Sequence, residues 1–480
     1  MLTHPPELFD RVAEWSTLTT FATDERQGAQ LAIVYGRRRQ GKSLLLECLQ
    51  EATNGFLFTA LEQSAGQSLE DFGTFYAAAR GVGAPVRFGS WADAVAELFL
   101  LGEDTDEPVT VVLDEFPYLV AAVPELPSVI QAALQPRGRP RRRSRTRLIL
   151  CGSAFSTMRN LLAGTAPLRG RAPLELQIDP FDFRTAAAFW GLDGDWDLAF
   201  RVNALCGGTP AYLDYCGNDT PAAGTDFDAW VTRTLLNPAS AFFREGRVLL
   251  SEESALSDLS LYYSVLTAIG NAKTRPGEIA AALGRKETAL AHPLTVLQQT
   301  RLVTRRPDIL RQRRSTYQIA EPILRLHQLV VRPHELRLTR RQADRVWAEA
   351  APTVASNIYG PHFEDLAREW AAVHADETTL GATLPEVGRT VVSCKEHQQT
   401  HQVDLIAKAG DHIVAVGEAK WHTKAVGAEV VERLRHIRDL LPRAGGAKLI
   451  VFSRSGFRPD LTPTPHDVEL VDLERLYTGT

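Results

Sequence analysis

Residues 31–43, Leu31 to Ser43, read LAIVYGRRRQGKS, and this stretch decides the fold. Leu31–Tyr35 is a short apolar run, the pattern of a parallel strand buried on both faces. It passes directly into a glycine-bounded loop, and Leu44–Gln50 then reads as a helix. Strand, loop, helix is the context that gives a G-x-x-x-x-G-K-S pattern its meaning. Gly36 and Gly41 permit a tight loop whose backbone N–H groups surround phosphates. Lys42 reaches the β- and γ-phosphates, and the Ser43 hydroxyl ligates magnesium. The expected nucleotide-binding set is Gly36, Arg37, Arg38, Arg39, Gln40, Gly41, Lys42, Ser43 and Leu44, and the expected cofactors are ATP and Mg2+.

The other half of this site is Val109–Tyr118, VTVVLDEFPY. Its β-branched, apolar residues make a buried strand that ends at Asp114-Glu115. One carboxylate there can hold magnesium through water, and the next can polarise the attacking water. Asp114 is assigned to the metal and Glu115 to general base. Arg147–Cys151 (RLILC) is a third strand, leading into Gly152-Ser153-Ala154. Beside the Asp114 strand, Ser153 would sense the γ-phosphate or orient the water; an ordinary serine in a strand-to-helix turn is the competing reading. In Pro167-Leu168-Arg169-Gly170-Arg171, Arg171 is the candidate γ-phosphate arginine, against an equally weighted structural role. Gly207–Tyr212 (GGTPAY) reads as a helix break, either in a lid that feels the nucleotide or in a plain interhelical turn.

Together, YGRRRQGKS, VVLDEFPYL, LILCGSAFSTM, PLRGR and CGGTPAYL resemble the archaeal-type P-loop ATPases, within the broader AAA+ and STAND-like NTPases of archaea and bacteria. The resemblance covers roughly residues 5–245. It implies that Lys42, Ser43, Asp114 and Glu115 carry hydrolysis, that Ser153 is the sensor, and that the glycine-proline stretch belongs to a lid. The arginine-dense insertion before Arg147 lies outside the motif pattern.

Composition sets the bounds. The chain has 480 residues, enough for two to four domains, with 44% hydrophobic and 23% charged content, ordinary for a globular protein. No apolar run reaches membrane-helix length and the N-terminus lacks a signal-peptide pattern, so no membrane partner and a cytoplasmic location are expected. The five cysteines, Cys48, Cys151, Cys206, Cys216 and Cys394, show no Cys-x-x-Cys pair, which fits reduced, buried thiols better than disulfides or a zinc site. The net charge of −5 argues against a generally basic nucleic-acid binder. Arginine is nonetheless clustered at 137–147 and 301–314, as solvated loops or as phosphate-binding patches.

From Leu256 the pattern becomes helical: Leu261–Ile269, Pro276–Gly284 and Glu287–Thr300. Leu302–Thr304 and Tyr317–Ile319 then read as a two-stranded wing around an arginine-rich tip. This is winged helix-turn-helix order. The third helix offers few base readers beyond Lys286, Gln298 and Gln299, and Arg311, Arg313 and Arg314 suit phosphate contact better than sequence reading.

Near the C-terminus, Tyr359–Ala372 is amphipathic and carries Glu364. Val403–Ala407 and Ile413–Ala419 read as a hairpin turning at Gly410-Asp411. Glu418 and Lys420 share a strand face by period-two alternation, and Asp404 can approach them across the ladder. Two carboxylates bind a hard cation, which activates water for phosphodiester cleavage while Lys420 positions water or phosphate. The set resembles the restriction-endonuclease-like PD-(D/E)xK fold, a nuclease-like domain often fused to archaeal-type ATPases. That resemblance makes Glu364 the helix acid near the metal. A plain surface hairpin, or a nuclease fold that binds DNA without cutting it, would use the same residues. Trp421 and His422 are placed either to touch nucleic acid or to pack.

The expectation is a multidomain α/β chain: a P-loop ATPase core at 1–180, a helical lid at 181–250, a winged helix-turn-helix at 251–335 and a restriction-endonuclease-like domain at 345–480. ATP hydrolysis would control a Mg-dependent DNA nuclease, suited to genome defence or mobile elements. Catalysis would rest on Lys42 and Glu115, and on Asp404, Glu418 and Lys420; metal would be held by Ser43 and Asp114, and by Glu364, Asp404 and Glu418. The alternative is a STAND-like ATP-dependent signalling or DNA-binding regulator with an inactive nuclease fold. A homo-oligomer would be demanded if an arginine acts across a subunit boundary.

Overall fold

The structure is a computed structural model and describes residues 2–480 except 104, 252, 254, 255, 257 and 395–397. The chain divides into two compact units, Met1–Pro180 with Glu252–Ala255, and Phe181–Ser251 with Leu256–Thr480.

The N-terminal unit is built on five parallel strands: β1 (Gln30–Tyr35), β2 (Phe56–Thr59), β3 (Val109–Asp114), β4 (Thr146–Gly152) and β5 (Leu174–Gln177), in the order β2-β3-β4-β1-β5. Parallel strands need helical crossovers, and these cover both faces, which is why β1, β3 and β4 are almost wholly buried. One face packs Leu31, Ile33, Val111, Leu113, Leu148 and Leu150; the other packs Ala32, Val34, Val112, Ile149 and Cys151. Alternate residues of each strand thus feed different cores. The strand order sets β4 between β1 and β3, so the C-terminal ends of all three open at one rim.

The arginine-dense segment 137–147 is mostly structural. Arg147 is fully buried and donates to the carbonyls of Asp24, Arg26 and Gly28. Arg141 and Arg145 also donate to carbonyls, of Ala29 and Glu25, while Arg139 pairs bidentately with Glu103. Arg137, Arg142 and Arg143 stay exposed.

In the C-terminal unit, helices Leu259–Gly270, Pro276–Ala282 and Ala291–Gln299 precede an antiparallel pair, β6 (Val303–Pro307) and β7 (Ser315–Ile319). They share one core around Val265, Ile279, Leu297 and Ile319. A second sheet follows, ordered β12-β11-β10-β9-β8, from β8 (Glu386–Cys394), β9 (Gln399–Ala409), β10 (His412–Lys420), β11 (Lys448–Ser453) and β12 (Val468–Val471). β8, β9 and β10 form an antiparallel meander, whereas β11 and β12 run parallel to β10. Helices Gly360–Val373 and Ala428–Leu440 pack against this sheet. Residues 181–250, read above as a lid, share a core with the last third of the chain: Phe200 meets Phe363, and Trp196 stacks on Tyr477.

Candidate functional sites

At the rim of the first sheet the chain leaves β1 at Gly36, where an added Cβ would lie 2.3 Å from the Ile178 carbonyl oxygen. Gly41 has φ +82°, left-handed backbone that disfavours a side chain, and caps helix Lys42–Thr53. The helical ladder opens with Leu45 N–H donating to the Gly41 carbonyl. The N–H groups of Lys42, Ser43 and Leu44 precede it and point out of the helix start, where an anion is favoured. Lys42 is buried and donates to the Arg37 carbonyl at 2.7 Å. Burial lowers its pKa, while neighbours including Glu115 and Asp114 oppose that shift.

The Ser43 hydroxyl donates to Asp114 at 2.8 Å, bringing together the two expected magnesium ligands from opposite ends of the motif set. A hydroxyl and a carboxylate in contact are a donor set that fits a hard cation. Glu115, with φ 51°, stands at the turn between β3 and helix Phe116–Ala122. Both its carboxylate oxygens lie 2.9 Å from the Ser153 hydroxyl, which in turn accepts from Arg38 Nε at 3.1 Å. Arg38 also donates to the Tyr118 hydroxyl. A loop arginine, the strand-end serine and the candidate base therefore form one chain of contacts. The sequence reading held Arg38 only as part of the loop and did not connect it to Ser153. Arg171, by contrast, is not brought in: it lies half-buried in the turn before β5, where its backbone N–H donates to the Leu168 carbonyl and its side chain makes no hydrogen bond or ion pair among the described residues.

Ser153→Ala removes the donor that orients Glu115 without touching the phosphate loop. It is expected to lower kcat for ATP hydrolysis about 10-fold with little change in KM, because a general base works only when aimed. Steady-state turnover checks this, and wild-type kcat in the variant would remove Ser153 from the site.

The second site assembles in the C-terminal sheet. Between Gly388–Ile406 and Thr390–Val403 the β8–β9 register slips by one, leaving Asp404 and Leu405 opposite Arg389 alone. Such bulges re-aim a side chain next to functional sites. Asp404 Oδ2 accepts from the Ala419 N–H at 3.1 Å, which ties it to the β10 end that carries Glu418 and Lys420. Gln402 donates towards both Asp404 (3.3 Å) and Glu364 (3.4 Å). Glu418 Oε1 accepts from Lys420 and, at 3.0 Å, from Arg433 of helix Ala428–Leu440. Its Oε2 is buried with no hydrogen-bond partner among the described residues. The helix after the hairpin, read from sequence over Val430–Leu441 as part of the motif's setting, is present, but Arg433 on it was not among the expected site residues.

Burial and then the Asp404 charge raise the Glu364 pKa to about 8; burial and then Glu418 raise that of Asp404. Carboxyls pushed upward by one another are a cluster in want of positive charge, and an orphan oxygen on Glu418 agrees. The donor type, carboxylate oxygens with one of them unpartnered, fits Mg2+, although the three acids do not bring their oxygens as close together as Cys394, His401 and His436 bring their ligand atoms. The neighbouring Asp365 is different: burial would raise it, but Arg306, Arg368 and Arg325 hold it well below the usual range.

The raised Glu364 gives a stability test. Its folded pKa of about 8 lies above the unfolded value near 4.5, so the native state binds the extra proton between these limits. Stability therefore falls as pH rises through that window and levels off above it. Glu364→Gln is expected to raise stability clearly at pH 8.5 and to change it little at pH 4.5. Denaturant unfolding at the two pH values checks the sign; equal effects at both would contradict the burial argument.

Of these acids, Glu364 alone lines a cleft of about 1030 Å³, together with Gln402 and with Arg275, Arg305, Arg306, Arg313, Arg314, Arg325, Arg368 and Arg389. Arg306 pairs with Asp365 at 3.1 Å, and Arg325 donates to the Ile319 carbonyl, whereas Arg313 and Arg314 are exposed. Trp421 is a packing residue: it stacks on Phe200 at 3.8 Å and lies under Arg454.

Comparison with known proteins fits the first site. Residues 8–214 match the family described as an ATPase domain predominantly from Archaea. A Walker-type ATPase of Pyrococcus abyssi aligns with TM-score 0.51 and 22% identity over 68% of this chain and 97% of its own, a likeness of fold. The ORC2 protein of Aeropyrum pernix, in ADPNP–ADP complexes, gives TM-score 0.43 and 15% identity over 73% of this chain and 97% of its own. No curated protein matches. No helix among the described residues is long and apolar enough to cross a membrane. The motifs, the strand order and the family match agree that residues 8–214 carry a P-loop ATPase domain of the archaeal type.

Proposed function

We propose that the chain is an ATP-hydrolysing protein whose nucleotide cycle controls a Mg-dependent nuclease-like domain acting on DNA. For ATP, the carrying observation is the 2.8 Å contact between Ser43 and Asp114 across the sheet rim. Lys42 would hold the β- and γ-phosphates, Ser43 and Asp114 the magnesium, and Glu115 would take the proton from water under the control of Ser153. Bound there, the metal would neutralise developing phosphate charge.

For the nuclease reading, the support is that Gln402 bridges Glu364, which lines the arginine-rich cleft, to Asp404, and Asp404 in turn is tied to the β10 end that carries Glu418 and Lys420. Glu364, Asp404 and Glu418 would hold the cation, and Lys420 would position the phosphate or water. Helices Leu259–Gly270 to Ala291–Gln299 with β6 and β7 follow winged-helix order and supply Arg305, Arg306, Arg313 and Arg314 to the same cleft. Guanidinium groups in that number suit a phosphate backbone rather than base reading.

A second reading is a regulator with a nuclease fold that binds but does not cut. It is favoured by Glu418, whose Oε1 already accepts from Lys420 and Arg433. The three acids are also not among the described groups whose ligand atoms all lie within 4.8 Å of one another. A cleavage assay on duplex DNA, single-stranded DNA and RNA, with and without ATP and with Mg2+, decides. Mg-dependent cutting supports the first reading; binding without cutting on every substrate supports the second.

A further inference from the structure

The β8–β9 pair carries another cluster, away from the acids. Val392 stands opposite His401, and Cys394 lies two residues beyond Val392, so thiol and imidazole share a face as diagonal neighbours. Val392 packs in one core with Val431, Leu434 and Ile437 of helix Ala428–Leu440, so this helix covers that face. His436 reaches down from it. The Cys394 Sγ and His436 Nε2 atoms are 3.5 Å apart, and the ligand atoms of Cys394, His401 and His436 all lie within 4.8 Å of one another. Cys394 is 2% exposed and His401 7%.

A tetrahedral zinc with Zn–S near 2.3 Å and Zn–N near 2.0 Å sets its S and N ligands about 3.5 Å apart along a tetrahedron edge. The Cys394–His436 spacing meets that requirement, and the His401 ligand atom lies within 4.8 Å of both. One thiolate and two imidazoles, with no carboxylate among them, select zinc over magnesium. A hydrogen-bonded thiol–imidazole pair needs only two of the three residues.

We propose that Cys394, His401 and His436 form a zinc site that fastens helix Ala428–Leu440 to β8 and β9. Water takes the fourth position. Binding leaves the Cys394 sulfur as thiolate and releases its proton to solvent. The helix so fastened also presents Arg433, one turn before His436, to Glu418 at 3.0 Å. The zinc site therefore fixes an arginine of the acidic cluster from behind, while standing independently of any nuclease activity.

The test is metal content of the full chain, grown with zinc and dialysed against metal-free buffer. A single zinc per chain is expected, retained in Asp404→Ala and lost in the Cys394→Ser and His436→Ala variants. Cobalt exchanged into the wild type should give a thiolate-to-cobalt charge-transfer band in the near ultraviolet. That readout needs no variant and so holds even if a substitution impairs folding. Wild type that binds neither zinc nor cobalt overturns the proposal. Full zinc content in a folded Cys394→Ser, His436→Ala double variant overturns it as well.

Discussion

Replacing Lys42 by alanine is expected to cut ATP turnover about 10²-fold, the scale lost when one preorganised cation or donor is removed from a developing charge. The ammonium is buried at the loop and already held 2.7 Å from the Arg37 carbonyl, so it loses little conformational freedom when it meets phosphate. Its burial is tolerable only because Asp114 and Glu115 stand close by, and their charges oppose the loss of its proton. Removing it also leaves those carboxylates without its compensating charge where the phosphates arrive, so nucleotide affinity should fall as well as kcat. Glu115→Gln separates the two effects. The amide keeps the shape and the Ser153 contact but cannot accept a proton, so turnover should fall about 10²-fold or more while ATP still binds. Turnover by phosphate release and affinity by a fluorescent ATP analogue read these outcomes. Wild-type turnover in Lys42→Ala would refute the role given to that lysine.

The phosphate site was largely legible because its chemistry is local. A strand, a glycine-bounded loop and a helix occupy consecutive residues, so Gly36–Ser43 declares its own geometry. Asp114 lies far along the chain, yet its place at the end of an apolar run marks the same sheet rim. What spacing could not carry was the side-chain partner. Arg38 looks like any of three consecutive arginines, and only the position of β4 between β1 and β3 sends it to Ser153. Arg147 illustrates the opposite failure. It closes the arginine-dense stretch and also opens the expected RLILC strand; register with β1 and β3 buries it there, and backbone carbonyls of residues 24–28 satisfy its guanidinium, which composition could not tell.

In the C-terminal unit the hairpin was legible from alternation, and so was the approach of Asp404 to the β10 end that carries Glu418. The bulge opposite Arg389 was not, because one extra residue in a ladder leaves no compositional trace. Nor was Cys394 with His401 and His436: a Cys-x-x-Cys search cannot find ligands supplied by two strands and a helix. Trp421 followed the blander alternative, since the residues beside it in space, Phe200 and Arg454, come from distant segments.

Asp404→Ala and Lys420→Ala are the substitutions that weigh the nuclease reading. If the acids hold magnesium, removing Asp404 takes away one of the oxygens that must replace the ion's water, and cutting should fall at least about 10²-fold. Lys420→Ala should leave DNA binding nearly unchanged, because the cleft arginines remain, yet reduce cutting by a similar factor. It also leaves Glu418 with Arg433 alone, so metal affinity should not drop in parallel. Asp404→Ala should instead abolish Mg-dependent protection of the C-terminal unit against thermal unfolding. Nicking of supercoiled plasmid, scored for wild type and both variants prepared alike, reads the first effect, and unfolding with and without Mg2+ reads the second. Equal cleavage by all three proteins would mean a contaminating nuclease. Absent cleavage by the wild type, with DNA bound in the cleft, would leave Glu418 as a structural ion-pair partner and the second reading as the correct one.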